Sequence, residues 1–431
     1  MRKLLFITSS LPYYPGEQFI ETEISFLAES FDSVYVVPLG GDETRPRPVP
    51  SNVYVVDDVR EFRKRNKRNP LSRLMALRKT RHALREAIVA RKNILLTRPN
   101  AFKNLFLTAS GAGQIAPLIE NIILRYKPSA IYSYWLHIGA VAANLVTQNL
   151  ELSLPVISRC HRYDLYEERH TPRYCPLQRF LVSHIDAVLP VSDHGRNYLG
   201  QKHQGTIKGD LKTFRLGVAR GHRATLSHDG ILRIVSCSSL KPVKRVHLIM
   251  EALKLLSFPI SWTHIGDGPL RKTLEEKNSS LVKEHENIQV HFAGSLPNSK
   301  VLEFYESNPV DLFINVSSSE GIPVSIMEAA SRGIPVIATN VGGTLEIVNE
   351  TIGSGFLLPK NVTPREIAER LNTFYNLPQK AKAEMRDAAF HAWGNDFNAE
   401  KTTGNSAVIW YRSLGLTSIK HDGKRRMRRK Y

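Results

Sequence analysis

Cysteine is scarce: Cys160, Cys175 and Cys237 are the only three in the 431-residue chain. An odd, dispersed set with no C-x-x-C pair and no companion histidine spacing argues against a disulfide scaffold or a zinc site. A reducing cytoplasm is the easiest setting for such a chain. Long apolar runs are absent as well, since no stretch approaches the ~18 residues that a spanning helix needs. The run Leu4-Leu5-Phe6-Ile7 is too short for a leader core and ends in Thr8-Ser9-Ser10, as a first strand would. No repeat of fixed period is visible, which excludes solenoids and propellers.

What is present describes a soluble globular chain, with 42% hydrophobic and 23% charged residues. At ~100–200 residues per domain the length favours two or three domains. The formal net charge is +19, and it is localised. Residues 60–103 hold fifteen Lys/Arg against two acids (Glu61, Glu86), and 420–430 hold seven against Asp422, which together equal the whole excess. The rest of the chain is neutral.

Short apolar runs alternate with helix-length segments. Strands are predicted at Leu4–Thr8, Ser33–Pro38, Ala130–Tyr134, Pro155–Ser158 and Ala187–Pro190. A second set is predicted at Arg233–Ser236, Ser261–Ile265, Gln289–Phe292, Asp311–Val316 and Val336–Thr339. None alternates strictly, and each is followed by Gly, Ser, Asp or Pro, as suits strands buried on both faces of a parallel sheet. Helices are predicted at Glu21–Ser30, Arg245–Leu256, Leu270–Lys277 and Val324–Arg332. The alternation predicts an α/β doubly wound fold. It restarts near residue 231 after a polar stretch, 199–230, which reads as the junction of two similar domains with a ligand cleft between them.

Chemistry concentrates in 311–348, DLFINV-SSSEGIP-VSIMEAASRG-IPVIAT-NVGGTLEIV. A buried strand runs into the loop Ser317–Pro323, and a helix follows that stops at Gly333. The next strand opens into Gly342-Gly343, with Thr344 placed to cap another helix. Backbone N–H groups at such approaches can hold phosphate or sugar oxygens. Glu320 in the loop and Glu328 on the helix can each accept hydrogen bonds from paired hydroxyls. Two glutamates at this spacing would by themselves be a loop residue and a solvated helix residue; the strand–loop–helix–strand context favours a site.

This stretch resembles the glutamate-x7-glutamate signature of glycosyltransferase family 4, the retaining enzymes of GT-B fold that use nucleotide sugars. Other pieces agree in order. Ile234–Lys244 (IVSCSSLKPVK) resembles the first strand and phosphate loop of the nucleotide-binding domain. Thr263–Leu270 (THIGDGPL) resembles its Gly-Asp-Gly-Pro turn, and Val290–Gly294 (VHFAG) its base-contacting corner. In the first half, Leu11–Glu17 (LPYYPGE) resembles the loop after strand one, His161–Asp164 (HRYD) the His-x-x-Asp segment, and Leu216-Gly217-Val218 the interdomain corner.

The resemblance implies a GT-B architecture, two Rossmann-like domains facing a central cleft. Residues 1–218 would bind the acceptor and 219–395 the nucleotide sugar. Residues 396–415 would form a crossover helix packing on the first domain, and 416–431 a basic disordered tail. It implies that Glu320, His161 and Lys244 act in catalysis, His161 near the anomeric carbon or acceptor. Glu328 would bind the nucleotide ribose, and Gly321, Ile322 and Pro323 would offer backbone contacts to the transferred sugar. Ser239, Gly16, Gly266, Gly268 and Gly294 would line the nucleotide site. In place of the usual diphosphate arginine stand Ser238 and Ser239, with Lys244 retained and Arg245 replacing a usual glycine. Glu17 would repel a phosphate unless turned away, and Arg162 stands where glycine is common.

No cofactor is expected beyond the nucleotide-sugar donor, and no metal, because the acidic pair Asp57-Asp58 is remote from every cleft loop. Gly111-x-Gly113-x-x-Ala116 lacks the acidic residue that a dinucleotide fingerprint needs about 20 positions on, and reads as a helix start. Trp135, Trp262, Trp393 and Trp410 read as packing residues, and His137 is as readily structural as functional. The basic segment 60–103, with a partial seam of Leu74, Leu77, Leu84 and Ile88, suggests docking on an anionic leaflet together with 420–430. The protein would then be cytoplasmic and peripheral to the inner face of the membrane. Its aromatics are too few for single-strand stacking, so nucleic acid is not expected. The acceptor would be lipid-linked or saccharide, in polysaccharide or lipopolysaccharide synthesis. The alternatives are a sugar-nucleotide epimerase of the same fold, or a non-enzymatic membrane or nucleic-acid scaffold.

Overall fold

The computed structural model describes the backbone of residues 1–405 except 15, 18, 67 and 68, and the side chains of the same span except 43–45 and 403–405. Trp410, the end of the expected crossover helix and the basic tail lie outside the described residues.

The first half forms β1 (Lys3–Thr8), β2 (Tyr13–Tyr14), β3 (Ser33–Pro38), β4 (Asp42–Pro46), β5 (Val53–Val55), β6 (Ala130–Ser133), β7 (Val156–Cys160), β8 (Ala187–Pro190) and β9 (Asp210–Leu211). Seven of these make a parallel sheet in the order β5-β3-β1-β6-β7-β8-β9, while β2 and β4 pair as an antiparallel ribbon. Successive side chains of β1 go to opposite faces: Leu5 and Ile7 join one apolar cluster, Leu4 and Phe6 another. Burial on both faces is why the strands read as unbroken apolar runs.

The second half forms β10 (Leu232–Cys237), β11 (Ile260–Ile265), β12 (Ile288–Gly294), β13 (Leu312–Asn315), β14 (Val336–Thr339) and β15 (Gly355–Leu358), parallel in the order β12-β11-β10-β13-β14-β15. Ile234, Trp262 and Ile314 fill one face, and Val235, Ile265 and Phe313 the other. In each sheet the strand order reverses beside the first strand, at β1/β6 and at β10/β13. Ligands of open α/β sheets bind outside the carboxyl ends of the strands at such reversals.

The structure corrects three expectations. The stretch 199–230 is not all junction, because the helix Asp193–Lys202 and β9 still belong to the first sheet's layer. Gly342–Glu346 is a short 3-10 turn, and Thr344 Oγ1 donates back to the Val341 carbonyl at 2.8 Å instead of capping an α-helix. Gly111 and Gly113 lie in the middle of the 28-residue helix Pro99–Tyr126. A Cβ on Gly113 would lie 2.2 Å from the Ala76 carbonyl oxygen, so that glycine lets two helices touch.

The basic segment is helical: Asp58–Asn66, Pro70–Ala76 and Arg81–Thr97 precede the long helix. No helix among the described residues is long and apolar enough to cross a membrane. The second domain returns to the first through Asn398, paired with Val218, and Trp393, whose indole N–H donates to the Val218 carbonyl at 3.1 Å. The domains also meet across the cleft. Glu346 accepts from the backbone N–H groups of Asp193 and His194 at 3.0 and 2.9 Å, and pairs with Arg215 at 3.1 Å.

Candidate active site in the interdomain cleft

Two loops leave the neighbouring strands β10 and β13 and are tied to each other. Ser318 N–H donates to the Val243 carbonyl at 2.8 Å, and Arg245 donates to the carbonyls of Val316 (2.7 Å), Ser317 (3.1 Å) and Lys360 (2.9 Å). Arg245, held in the left-handed region at φ 49°, therefore spends its guanidinium on loop carbonyls. Lys244, next to it, points the other way. Its Nζ donates to Glu320 Oε1 at 2.5 Å.

Glu320 is 7% exposed. Burial alone would raise its carboxyl, but the Lys244 ammonium and hydrogen bonds from Lys244 and Ser317 outweigh that and hold it below the usual range. Arg162 reaches over from the first domain, donating to the Ser319 carbonyl and standing 4.0 Å from Glu320 Oε2. A Cβ on Gly321 would come within 3.1 Å of Arg162, so the missing side chain lets the two domains touch at the carboxylate. Gly321 and Ile322 can present amide N–H groups there. Pro323 has none, and its carbonyl accepts from Ile326 N–H at 3.1 Å.

Glu328 is equally buried, and Asn298 Nδ2 donates to its Oε1 at 2.6 Å. Burial lifts its carboxyl to about 7, against the pull of Asn298 and Arg332. Beneath the first loop the turn between β11 and the next helix packs tightly. A Cβ on Gly266 would lie 1.9 Å from the Ser238 carbonyl oxygen and one on Gly268 2.6 Å from that of Leu240. Gly294 closes this side by accepting from Gly266 N–H at 2.8 Å, and Ser239 accepts from Lys241 N–H at 2.9 Å. The second domain thus gathers Lys244, Glu320, Glu328, Ser239 and the three glycines around the ends of β10–β13.

On the facing wall, His161 follows β7. Its ring packs at a tilt with centroids 4.5 Å from Trp135, 4.8 Å from Tyr134 and 5.7 Å from Phe19, and among the described residues neither ring nitrogen has a hydrogen-bond partner. Burial, with Arg159 behind it, pushes the imidazole well below its usual value, so it is neutral. Asp164 fixes this corner by accepting from His161 N–H and Leu136 N–H, both at 2.6 Å. Gly16 sits at φ 87° in the loop after β1. Its neighbour Glu17 turns inward and accepts from the backbone N–H groups of Ser9, Ser10 and Leu11 at 2.9, 2.6 and 2.7 Å, and from Trp135 Nε1 at 2.6 Å. The carboxylate fills a nest of amides that would otherwise suit an anion.

Residues 222–391 match the family model described as Glycosyl transferases group 1. The chain carries a glycosyltransferase group 1 domain. That domain contains Lys244, Glu320 and Glu328. WcaL of Escherichia coli K12, named for colanic acid biosynthesis, is 28% identical over 312 residues, covering 69% of this chain and 72% of that protein. AmsK of Erwinia amylovora, named as an amylovoran biosynthesis glycosyltransferase, is 23% identical over 64% of this chain and 69% of its own length. Among solved structures, Anabaena HepE in complex with UDP aligns over 95% of this chain and all of its own, with TM-score 0.65 and 16% identity. The lipopolysaccharide outer core galactosyltransferase WaaB aligns over 95% and 99%, with TM-score 0.66 and 12% identity. At those identities the likeness establishes the GT-B fold. The epimerase and scaffold alternatives find no support among these relatives.

Several site residues escaped the sequence reading. Asn298 follows Pro297 at a helix start and gives no local sign that it meets Glu328 thirty positions on. Glu346 matters only because two domains close, and Arg162, noted in the sequence only as standing where glycine is common, gains its place beside Glu320 from the same closure. Among the described residues one trio has metal-ligand proximity, His82, Glu86 and His184, whose ligand atoms lie within 4.8 Å of one another on first-domain helices outside the cleft loops.

Proposed function

We propose that this protein is a retaining glycosyltransferase moving a sugar from a nucleotide-diphosphate donor to a lipid-linked or saccharide acceptor in surface polysaccharide or lipopolysaccharide synthesis. The observation that carries the reading is the pairing of Lys244 with the buried carboxylate Glu320, in the same glycosyltransferase group 1 domain as the buried Glu328 and at its strand-order reversal. The names of the relatives, including structures solved with UDP and UDP-glucose, support the donor class and the pathway class.

In this reading Glu328 accepts the ribose hydroxyls and Glu320 those of the transferred sugar. Charge developing on the departing diphosphate is stabilised by Lys244 and by the Gly321 and Ile322 amides. The acceptor hydroxyl enters from the same face and passes its proton to the departing phosphate, which preserves anomeric configuration without a covalent enzyme–sugar. Arg245 takes no part, because its donors are committed to loop carbonyls. Glu17 keeps the β1 loop from serving as a phosphate cradle, so the diphosphate rests on the second domain. No step uses a metal.

Glu320→Gln tests the assignment. Transfer from a panel of UDP-, GDP- and ADP-sugars should fall by about a hundredfold or more, as for loss of a group binding the transition state. Nucleotide affinity should stay within a fewfold of the wild-type value. Undiminished turnover refutes the reading.

A further inference from the structure

The basic helix Arg81–Thr97 packs on the helix Gln178–His184 of the first domain, and three metal-ligating side chains meet where they touch. One ligand atom each from His82, Glu86 and His184 lies within 4.8 Å of the others. His82 and Glu86 are four positions apart, so one helical turn stacks them on the same face. The backbone of that helix breaks at Arg91, and both residues belong to the half before the break. His184 ends the facing helix.

Two of the three are held from behind. The His184 ring stacks on Phe180 with centroids 4.5 Å apart. Its Nδ1 stands 2.9 Å from the Phe180 carbonyl and 2.8 Å from Ser183 Oγ. A carbonyl only accepts, so Nδ1 carries the proton and Nε2 keeps the lone pair. Ser183, itself buried, donates from Oγ to Glu86 Oε1 at 3.1 Å. Hydrogen bonds of this kind, from the far side of an imidazole or a carboxylate, are what orient metal ligands. The third residue, His82, is exposed and meets the His184 ring edge-on at 6.0 Å.

Two imidazoles and one carboxylate suit a borderline ion such as zinc, whereas magnesium and calcium prefer oxygen alone. The scarcity of cysteine does not bear on such a site. Ligands of a tetrahedral zinc lie about 3.3 Å from one another, so the trio must draw in by about 1 Å, which a turn of exposed His82 can supply. His82 and Glu86 open onto a depression of about 520 Å3 that Arg85 and Arg179 also line. Both arginines are exposed, so solvent screens their charge; they lower the affinity for a cation without occupying its ligands. We propose that His82, Glu86 and His184 bind a zinc ion with water in the fourth position, and that this ion pins the first half of the basic helix to the first domain. The site lies outside the cleft and does not rest on the glycosyltransferase reading.

The test is titration of the chelator-treated full-length protein with zinc chloride against a competing chromophoric chelator. A single zinc ion should bind, and magnesium chloride should not displace it. At an excess of about a hundredfold over Kd, zinc should raise the unfolding midpoint by a few degrees and slow amide exchange in residues 81–90. Ser183→Ala, which removes the hydroxyl behind Glu86 and His184, should weaken zinc by about tenfold, and His82→Ala, Glu86→Gln and His184→Ala by more. His82→Ala should leave the metal-free melt unchanged and decides the matter if His184→Ala melts early. His228→Ala, at an exposed histidine outside the trio, is the control and should bind zinc as the wild type does. Equal zinc affinity in His82→Ala and His228→Ala overturns the site, as does displacement of zinc by magnesium. Zinc bound at the trio with no change in exchange over 81–90 overturns the pinning of the helix. If inorganic phosphate raises the melt in a His82-dependent manner and zinc does not, the depression holds an anion at Arg85 and Arg179 and the metal assignment falls. None of these readouts depends on sugar transfer.

Discussion

Glu328 meets two opposed demands. Burial favours its protonated form, while a ribose diol donating two hydrogen bonds favours the carboxylate. With its carboxyl lifted to about 7, the folded protein holds this proton more tightly than the unfolded chain does. The stability it contributes without ligand is therefore present at low pH and lost as pH rises through about 7. Nucleotide affinity should run the other way, strengthening by about tenfold between pH 6 and pH 8 as the ionised fraction grows. In Glu328→Gln the affinity should be weaker and this pH step absent. An unchanged pH profile in that variant would remove Glu328 from the nucleotide site. Glu320 escapes such titration because Lys244 outweighs its burial. Both residues were visible in the sequence through their spacing, but their different ionisation was not: Lys244 lies 76 positions from Glu320, and Asn298 lies 30 from Glu328.

Among the elements, the β10–β13 loops are rigid because each is braced by another. Arg245 ties the first loop to the second, and the turn at Gly266 supports the first from below. At φ 140°, with the Ser238 carbonyl where a Cβ would go, Gly266→Ala must both strain the backbone and displace the loop. It should cost about 1–3 kcal/mol in denaturant unfolding and weaken nucleotide binding. Gly394→Ala, in the helix Gln379–Asp396 with open space around it, is the control and should be neutral or stabilising. Equal midpoints for the two variants would mean that the turn carries no strain. Most strands were readable as apolar runs, and Ser33–Pro38, Ala187–Pro190 and Val336–Thr339 match residue for residue. β5 and β15 were missed although Val53-Tyr54-Val55 and Phe356-Leu357-Leu358 are apolar, because three such residues do not by themselves separate a strand from a loop, and the two-residue β9 offered no run to read. The basic segment read only as a composition shift, since its helices owe their positions to contacts such as Gly113 with Ala76.

For the molecule as a whole, charge and closure are separate matters. The neutral body closes through Glu346, Arg215 and Asp193, and through Arg162 at the Ser319 carbonyl. The basic helices lie on the first domain, and Leu71, Leu74 and Met75 there are 64%, 60% and 62% exposed. Exposed apolar side chains among lysines and arginines support the proposal that this face docks on an anionic membrane. In liposome flotation the protein should rise with anionic vesicles and not with neutral ones, and salt should release it, because surface lysines and arginines contribute about 1 kcal/mol each near such a leaflet. Equal partition to both vesicle types would end that proposal.

By itself the sequence determined two α/β halves, the positions of most of their strands along the chain, the Glu320–Glu328 spacing and the two basic patches. These are local properties, written in short-range periodicity and composition. Only the tertiary structure decided that Lys244 serves Glu320, that Arg245 serves carbonyls, that Glu17 fills its own loop, and that His82 and Glu86 meet His184. Those pairings depend on which strands and helices become neighbours. That is set by sheet order and close packing across the whole chain, at separations where local patterning carries no information.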